Sequence, residues 1–387
     1  MTVIIAAGLS LFIWLFLLLF WGGFWRGDRR IKNEPEPDGN LEIYPNVCII
    51  VPARDEAEVI SSSLTSLLNQ NYPGKLSVVL VDDNSSDRTG EIARQTAEEA
   101  SASELKVIAG KPLATGWKGK LWAIQQGIEY AESQTPPPDY FLFTDADIKH
   151  APNNLTQLIA KAEAENLDLV SLMVLLRCES FWEKLLIPAF VFFFQKLYPF
   201  AWVNDSRKAI AAAAGGCILI SNEALRAIGG IATIKDALID DCSLAKAVKS
   251  QGKSIWLGLS ETTISLRGYD RLNVIWNTVA RTAYTQLNYS PLLLVGTVVG
   301  MIMVYLVPPV ALVAGIITGS WLVAAMAILT WLLMTTAYLP TIKLYNLSAA
   351  WAFALPAIAF VYTLMTIDSA VKYYRGRGGA WKGRTYQ

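Results

Sequence analysis

The stretch Tyr140-Phe-Leu-Phe-Thr-Asp-Ala-Asp-Ile148 decides the fold. Its aromatic and β-branched residues predict a buried strand, and the Pro-rich residues 135–139 set off its start. Asp145 and Asp147 stand at its carboxyl end with one residue between them. In extended chain, side chains alternate between faces, so both carboxylates are expected on the same face. Like charges held together there call for a cation. Oxygen-only ligands suit Mg2+ or Mn2+, with phosphate oxygens filling the remaining positions. A solvated Asp-x-Asp in a loop is the plain alternative; the apolar run before it favours a metal site.

The same pattern repeats outward from this strand. Val47-Cys-Ile-Ile-Val51 is a short apolar strand stopped by Pro52, and residues 56–68 follow with helical spacing. Leu76-Ser-Val-Val-Leu-Val81 is another strand, ending in Asp82-Asp-Asn-Ser-Ser-Asp87. Residues 89–100 and 120–131 read as helices, and 105–109 as a strand. Alternating strands and helices predict an α/β fold with a Rossmann-like, mostly parallel sheet, whose ligands lie beyond the carboxyl ends of the strands. The polar clusters 52–56, 82–87 and 145–147 all belong to that edge. Later residues are less regular. Four alanines run into Gly215-Gly216-Cys217, small residues that let a backbone approach a ligand. Ile239-Asp-Asp-Cys-Ser-Leu244 opens a helix, where an Asp is also an ordinary capping choice.

Composition excludes several classes. The 387 residues carry 33 basic and 33 acidic side chains, so nothing suggests a nucleic-acid partner. Four scattered cysteines fit a reducing compartment, and a single histidine, His150, makes a Ser-His-Asp triad or a multi-histidine zinc site hard to build. Residues 1–25 are apolar and uncharged, long enough for a transmembrane helix, without the marks of a cleaved signal peptide. Arg26, Arg29, Arg30 and Lys32 then place the following chain in the cytoplasm. Residues 26–46 read as a basic, Pro-rich linker, 47–268 as a catalytic domain, and 181–203 and 269–290 as helices lying on the membrane surface. Residues 291–371 hold two to three further spans, with a turn at Pro308-Pro309 or at 318–320, and 372–387 form a basic tail. Its charge puts the tail in the cytoplasm, whereas three spans would put it outside.

On these motifs the chain resembles the family 2 glycosyltransferases with the GT-A fold, most closely the hopene-associated ones, with an architecture similar to ceramide glucosyltransferase. The resemblance covers about 47–281. It implies nucleotide contacts from Pro52, Ala53, Arg54 and Glu56, and a uridine contact from Asp83. It also implies a metal on Asp147 and Asp145, and a catalytic base at Asp241 beside Asp240, where the family usually has Glu-Asp. Lys118 and Lys120 would add positive charge to the donor's phosphates. Gly215, Gly216 and Arg281 would face the acceptor. The Gln/Arg-x-x-Arg-Trp motif of the larger synthases is not intact: Trp276-Asn-Thr-Val-Ala-Arg281-Thr keeps only an arginine.

The expected protein is a membrane-bound inverting glycosyltransferase, with its catalytic domain facing the cytoplasm. It takes a nucleotide-diphosphate sugar, a UDP-sugar by resemblance, and a lipid hydroxyl entering between 181–203 and 272–289, near Phe192 and Phe193. A polyprenyl-phosphate glycosyltransferase or polysaccharide synthase is the alternative. A transporter would need ionisable residues in its spans, which are almost absent. The oligomeric state is not legible.

Overall fold

The computed structural model describes residues 1–31, 43–100, 104–376, 380–381 and 384–385. Residues 32–42 of the expected linker, Lys32 among them, and most of the basic tail past Gly376 lie outside the described residues. The chain opens with α1 (Thr2–Phe20), β1 (Arg30–Ile31), β2 (Val47–Ala53), α2 (Ile60–Leu68), β3 (Leu76–Asp82), α3 (Thr89–Glu99), β4 (Leu105–Ala109) and α4 (Gly119–Glu132). It continues with β5 (Tyr140–Thr144), β6 (Ile148–Lys149), α5 (Asn154–Glu165), β7 (Leu169–Leu175), α6 (Phe181–Leu197), α7 (Phe200–Val203), β8 (Cys217–Ser221) and α8 (Asn222–Ala227). Then come α9 (Asp240–Ser250), β9 (Ile255–Ser265), α10 (Leu272–Gln286), α11 (Pro291–Met301), α12 (Val307–Ile317), α13 (Trp321–Leu344) and α14 (Leu355–Tyr374). Two compact units result. One gathers Met1–Asp28, Cys178–Ala201 and Gly268–Gln387; the other gathers Arg29–Arg177 and Trp202–Arg267.

The second unit is built on one sheet of order β1-β9-β7-β8-β5-β2-β3-β4, with β6 paired to β9. β2 lies parallel to both β3 and β5, and β3 to β4. As expected of strands covered on both faces, β2 is apolar over Val47–Val51 and buried there throughout. Ile49, Val51, Leu64, Leu80, Leu142, Leu172 and Leu219 share the core that fixes these strands. β8 runs antiparallel between β5 and β7, with Thr144 opposite Cys217. Gly215 and Gly216 therefore lead into β8 at the edge where β5 ends.

The structure corrects one expectation about that edge. β5 stops at Thr144, and Asp145 to Asp147 form a turn closed by Ile148 N–H donating to Asp145 O at 3.2 Å. The chain bends because β6 leaves to pair with the end of β9, Ile148 opposite Ser265. The two carboxylates are brought to the edge by a turn, not by the alternation of an extended strand.

Among the described residues the first unit has four stretches long and apolar enough to cross a membrane: Thr2–Phe20, Pro291–Ile317, Trp321–Leu344 and Ala349–Tyr374. Its outward side chains include Phe12, Leu19, Leu292, Ile317 and Trp321, a surface that fits a membrane protein. Small residues bring helices together: Ala7, Ala311, Val323 and Ala327 cluster, and a Cβ on Gly315 would come within 2.8 Å of Ala324 N. The break between α12 and α13 falls at 318–320; Pro308 and Pro309 stay inside α12. α6 starts at a capping box formed by Ser180 and Glu183, and the chain breaks between Leu197 and Phe200, at Pro199. Phe192 is wholly buried against Phe24 and Tyr338, so it does not line a path for an acceptor. α10 is pinned to α14 by Trp276 Nε1 donating to Asp368 Oδ2 at 2.7 Å, and it carries the half-buried Arg281.

Candidate active site

The carboxyl ends of β2 and β3 are stitched together by side chains. Arg54 Nη1 donates to Asp83 O at 2.6 Å and to Asn84 O at 3.3 Å. Asp55 N–H donates to Ser85 Oγ at 3.1 Å, and Asp55 Oδ1 accepts Ser86 N–H at 2.6 Å. Glu56 N–H donates to Thr89 Oγ1 at 2.8 Å, and Ala57 N–H to Asp87 Oδ2 at 3.0 Å. Asp55 and Asn84 hold left-handed backbone, φ 51 and 53, which Asp and Asn tolerate better than most side chains. Asp83 sits 2% exposed, its N–H donating to Ala53 O at 2.8 Å. This rigid floor holds Pro52, Ala53, Arg54, Glu56 and Asp83 at one edge.

Lys120, in the first turn of α4, is the hub of the next group. Its Nζ lies 2.8 Å from Asp145 Oδ1 and 3.1 Å from Asp240 Oδ2. Burial works against its charge, but Asp145 and Asp240 outweigh that and hold its pKa above the usual lysine range. Asp241 follows in the first turn of α9. Its Oδ2 accepts Gly215 N–H at 2.9 Å, and its Oδ1 accepts Cys242 N–H at 2.7 Å. A Cβ on Gly215 would lie 3.1 Å from Lys120 Nζ, so a side chain there would press on the ammonium. Burial, reinforced by the neighbouring Asp240 charge, pushes the Asp241 carboxyl up to about 6, against the opposing pull of Lys120. Such a group exchanges a proton readily near neutral pH. A small cleft is lined here by Pro52, Lys120, Gly215, Asp240 and Asp241, with Ile231, Ile234 and Leu244 among its apolar walls.

The other end of this row is Asp147. Its Oδ2 accepts Ser265 Oγ–H at 2.9 Å and pairs with Arg267 Nε at 3.2 Å, while Arg267 Nη2 pairs with Glu56. Burial, reinforced by the Asp147 charge and opposed by Lys120, holds Asp145 above the ordinary carboxylate range. An oxygen-only pair fits a hard divalent ion. No group of three or more His, Cys, Asp or Glu side chains placed to hold a metal occurs among the described residues, so phosphate oxygens of a ligand would have to complete the shell.

Lys118, just before α4, donates its N–H to Lys235 O at 2.7 Å, and burial lowers its pKa. Gly216 O accepts Thr144 Oγ–H at 2.8 Å. That hydroxyl can then only accept at His150 Nε2, 2.8 Å away, while Asn154 Nδ2 donates to His150 Nδ1 at 2.9 Å. The histidine is therefore a neutral strut beneath the site, and burial lowers its pKa to about 3. Sequence reasoning missed Ser265 and Arg267. Only the pairing of β6 with β9 brings them to Asp147, and no local motif marks that.

Residues 48–229 match the profile of glycosyl transferase family 2. The chain carries a family 2 glycosyltransferase domain. "Probable glycosyltransferase YdaM" of Bacillus subtilis (strain 168) is 36% identical over 140 residues, 35% of this chain and 31% of the relative. The beta-monoglucosyldiacylglycerol synthase of Trichormus variabilis is 31% identical over 154 residues, 39% of this chain and 30% of the relative. The matches thus span less than a third of those relatives' own length. The mannosyltransferase PcManGT from Pyrobaculum calidifontis, solved in complex with GDP-Man and Mn2+, superposes with a TM-score of 0.56 at 20% identity, covering 96% of this chain and 98% of that one. A family 2 glycosyltransferase domain on a GT-A fold, in a chain with long apolar helices at both ends, is the frame for its chemistry.

Proposed function

We propose that this glycosyltransferase is membrane-bound, faces the cytoplasm with its sheet unit, and moves a sugar from a uridine diphosphate sugar to a lipid hydroxyl with inversion. The observation that carries this reading is the setting of Asp241: a carboxyl raised to about 6, held by two backbone N–H groups, in the wall of a small cleft. The acceptor's O–H gives its proton to Asp241 while its oxygen attacks the anomeric carbon. The bond to the diphosphate breaks in the same displacement, its electron pair leaving with the phosphate oxygen, so an α-linked donor yields a β-linked product. Asp240 positions the base and Lys120. Lys118 and Lys120 face the growing negative charge, and Asp83 with Arg54 would hold the nucleoside end. Asp145 and Asp147 would hold Mg2+ or Mn2+, which when bound offsets charge on the leaving diphosphate.

A lipid acceptor is supported by the four long apolar helices and by a relative named for making a glucosylated diacylglycerol. Arg26, Arg29 and Arg30 after α1 support the cytoplasmic side. The test is mass spectrometry of lipids after the protein, in proteoliposomes, meets UDP-sugars, with lipid and short-chain soluble acceptors side by side. A new β-linked glycolipid, lost in Asp241→Asn, is expected. Equal transfer to a soluble acceptor would overturn the lipid assignment, and full activity of Asp241→Asn would point to a phosphate acceptor that needs no base.

A further inference from the structure

Lys196 is a half-buried cation that this reaction does not use. It stands next to last in α6, and its ammonium reaches Tyr305, in the middle of a 27-residue apolar stretch, Pro291–Ile317, without a charged residue. Nζ donates to Tyr305 Oη at 2.8 Å and lies 4.6 Å from the centre of that ring and 5.6 Å from that of Phe193. No carboxylate pairs with it among the described residues. Tyr305 is wholly buried, edge-on to Trp14 at 5.7 Å, and belongs to a π-helical turn, Ile302–Leu306, whose Val304 O is met by Trp14 Nε1–H at 2.7 Å. Such turns interrupt α-helices where a side chain must be re-aimed, often at functional sites.

Counting protons shows what is missing. The ammonium has three N–H donors and spends one on Tyr305 Oη. Because that oxygen accepts, the tyrosine's own proton points elsewhere, and no acceptor for it occurs among the described residues. Two N–H groups of a half-buried ammonium are thus left without a partner among the described residues. An ammonium among apolar helices is expensive unless an anion meets it, and it marks a site by default. The backbone of Lys196 lies level with the end of α1: Lys196 O accepts Trp21 Nε1–H at 2.9 Å, and Trp21 directly follows that helix, as residues of an aromatic belt do.

We propose that Lys196 and Tyr305 form a seat for the phosphate of an anionic lipid headgroup, cushioned by Phe193. A lysine ammonium binds phosphate as a compact point charge, and the buried phenol oxygen, by accepting one of its N–H groups, fixes where the other two can point. The seat lies wholly within the helical unit and does not depend on the reading of the sugar-transfer site.

The test uses the full chain in detergent with no sugar donor present. Native mass spectrometry would titrate phosphatidylglycerol, diacylglycerol with the same acyl chains, and inorganic phosphate. Wild type is expected to retain one phosphatidylglycerol in preference to diacylglycerol. Lys196→Gln should weaken that binding about tenfold, as loss of a charged hydrogen bond does, while Lys196→Arg stays within about threefold. Tyr305→Phe removes a single oxygen and should weaken it as well, which keeps the test decisive if Lys196→Gln does not fold. Unchanged binding in both variants, equal binding of diacylglycerol, or displacement of the lipid by inorganic phosphate would overturn the proposal.

Discussion

Asp147 and Asp241, at opposite ends of one carboxylate row, are held in opposite ways. Asp147 is met by the Ser265 hydroxyl and the Arg267 guanidinium. Asp241 has backbone N–H partners, a like charge beside it at Asp240, and a carboxyl lifted to about 6. Lys120 sits between, bonded to Asp145 and Asp240 rather than to either end. In the proposed mechanism the same residue type serves two jobs. A carboxylate beside a guanidinium suits a permanent ligand, and one raised toward neutrality suits a proton acceptor.

The sharpest way to break this division is at Asp241. Asp241→Asn keeps the shape and removes the proton acceptor, so turnover should fall about 10²–10⁴-fold with donor binding nearly unchanged. Kinetics with calorimetry of uridine diphosphate decide it; a fall under tenfold would mean that Asp241 is not the base. Asp147→Asn comes next. It should weaken Mn2+ binding by about a hundredfold or more, read by titration with the nucleotide present, and turnover should fall with it. Turnover undiminished in excess chelator would remove the metal from the reading.

The difference between the ends also explains what was legible in the sequence. β2, β3, β4 and β5 lie where short apolar runs end in polar clusters, because a strand buried on both faces needs little but such a run. Asp83, Asp145 and Asp241 stand at places that local sequence marks, each beside a strand end or opening a helix. Arg267 was not, since its place depends on β9 returning over a hundred residues to pair with β6. The turn at Asp145–Asp147 was hidden for the same reason: the bend answers to a distant partner, and local alternation says nothing of it. His150 shows no sign in sequence of its two hydrogen bonds, which come from Thr144 and Asn154 once β5 and α5 meet.

Smaller effects come from the groups between the ends. Asp240 raises the Asp241 pKa and Lys120 lowers it. In the proposed mechanism the base works deprotonated, so turnover should fall as pH drops through about 6. Asp240→Asn should move this acid limb to lower pH and Lys120→Met should move it to higher pH. Limbs that move together in both variants would show that another group sets them.

The smallest effect on catalysis belongs to His150, and it protects the interpretation of that limb. Burial lowers this histidine to about 3 from its ordinary 6.5, so the folded state binds fewer protons than the unfolded chain between those values. Its contribution is complete above the unfolded pKa and is lost as pH falls toward the folded one. Between pH 7 and pH 5 the sheet unit should lose about 2 kcal/mol, from the roughly 1.4 kcal/mol carried by each pH unit below 6.5. A fall in turnover near pH 6 could therefore come from loosening of the strut as well as from protonation of Asp241. His150→Gln separates the two. It should lower stability at pH 7 by about 1–3 kcal/mol through its imperfect replacement of the bonds to Thr144 and Asn154. Denaturant melts of this variant should then lose their slope between pH 7 and pH 5, while the acid limb of turnover stays where it was. A limb that vanishes with the histidine would give the pH dependence to the strut and take it from Asp241.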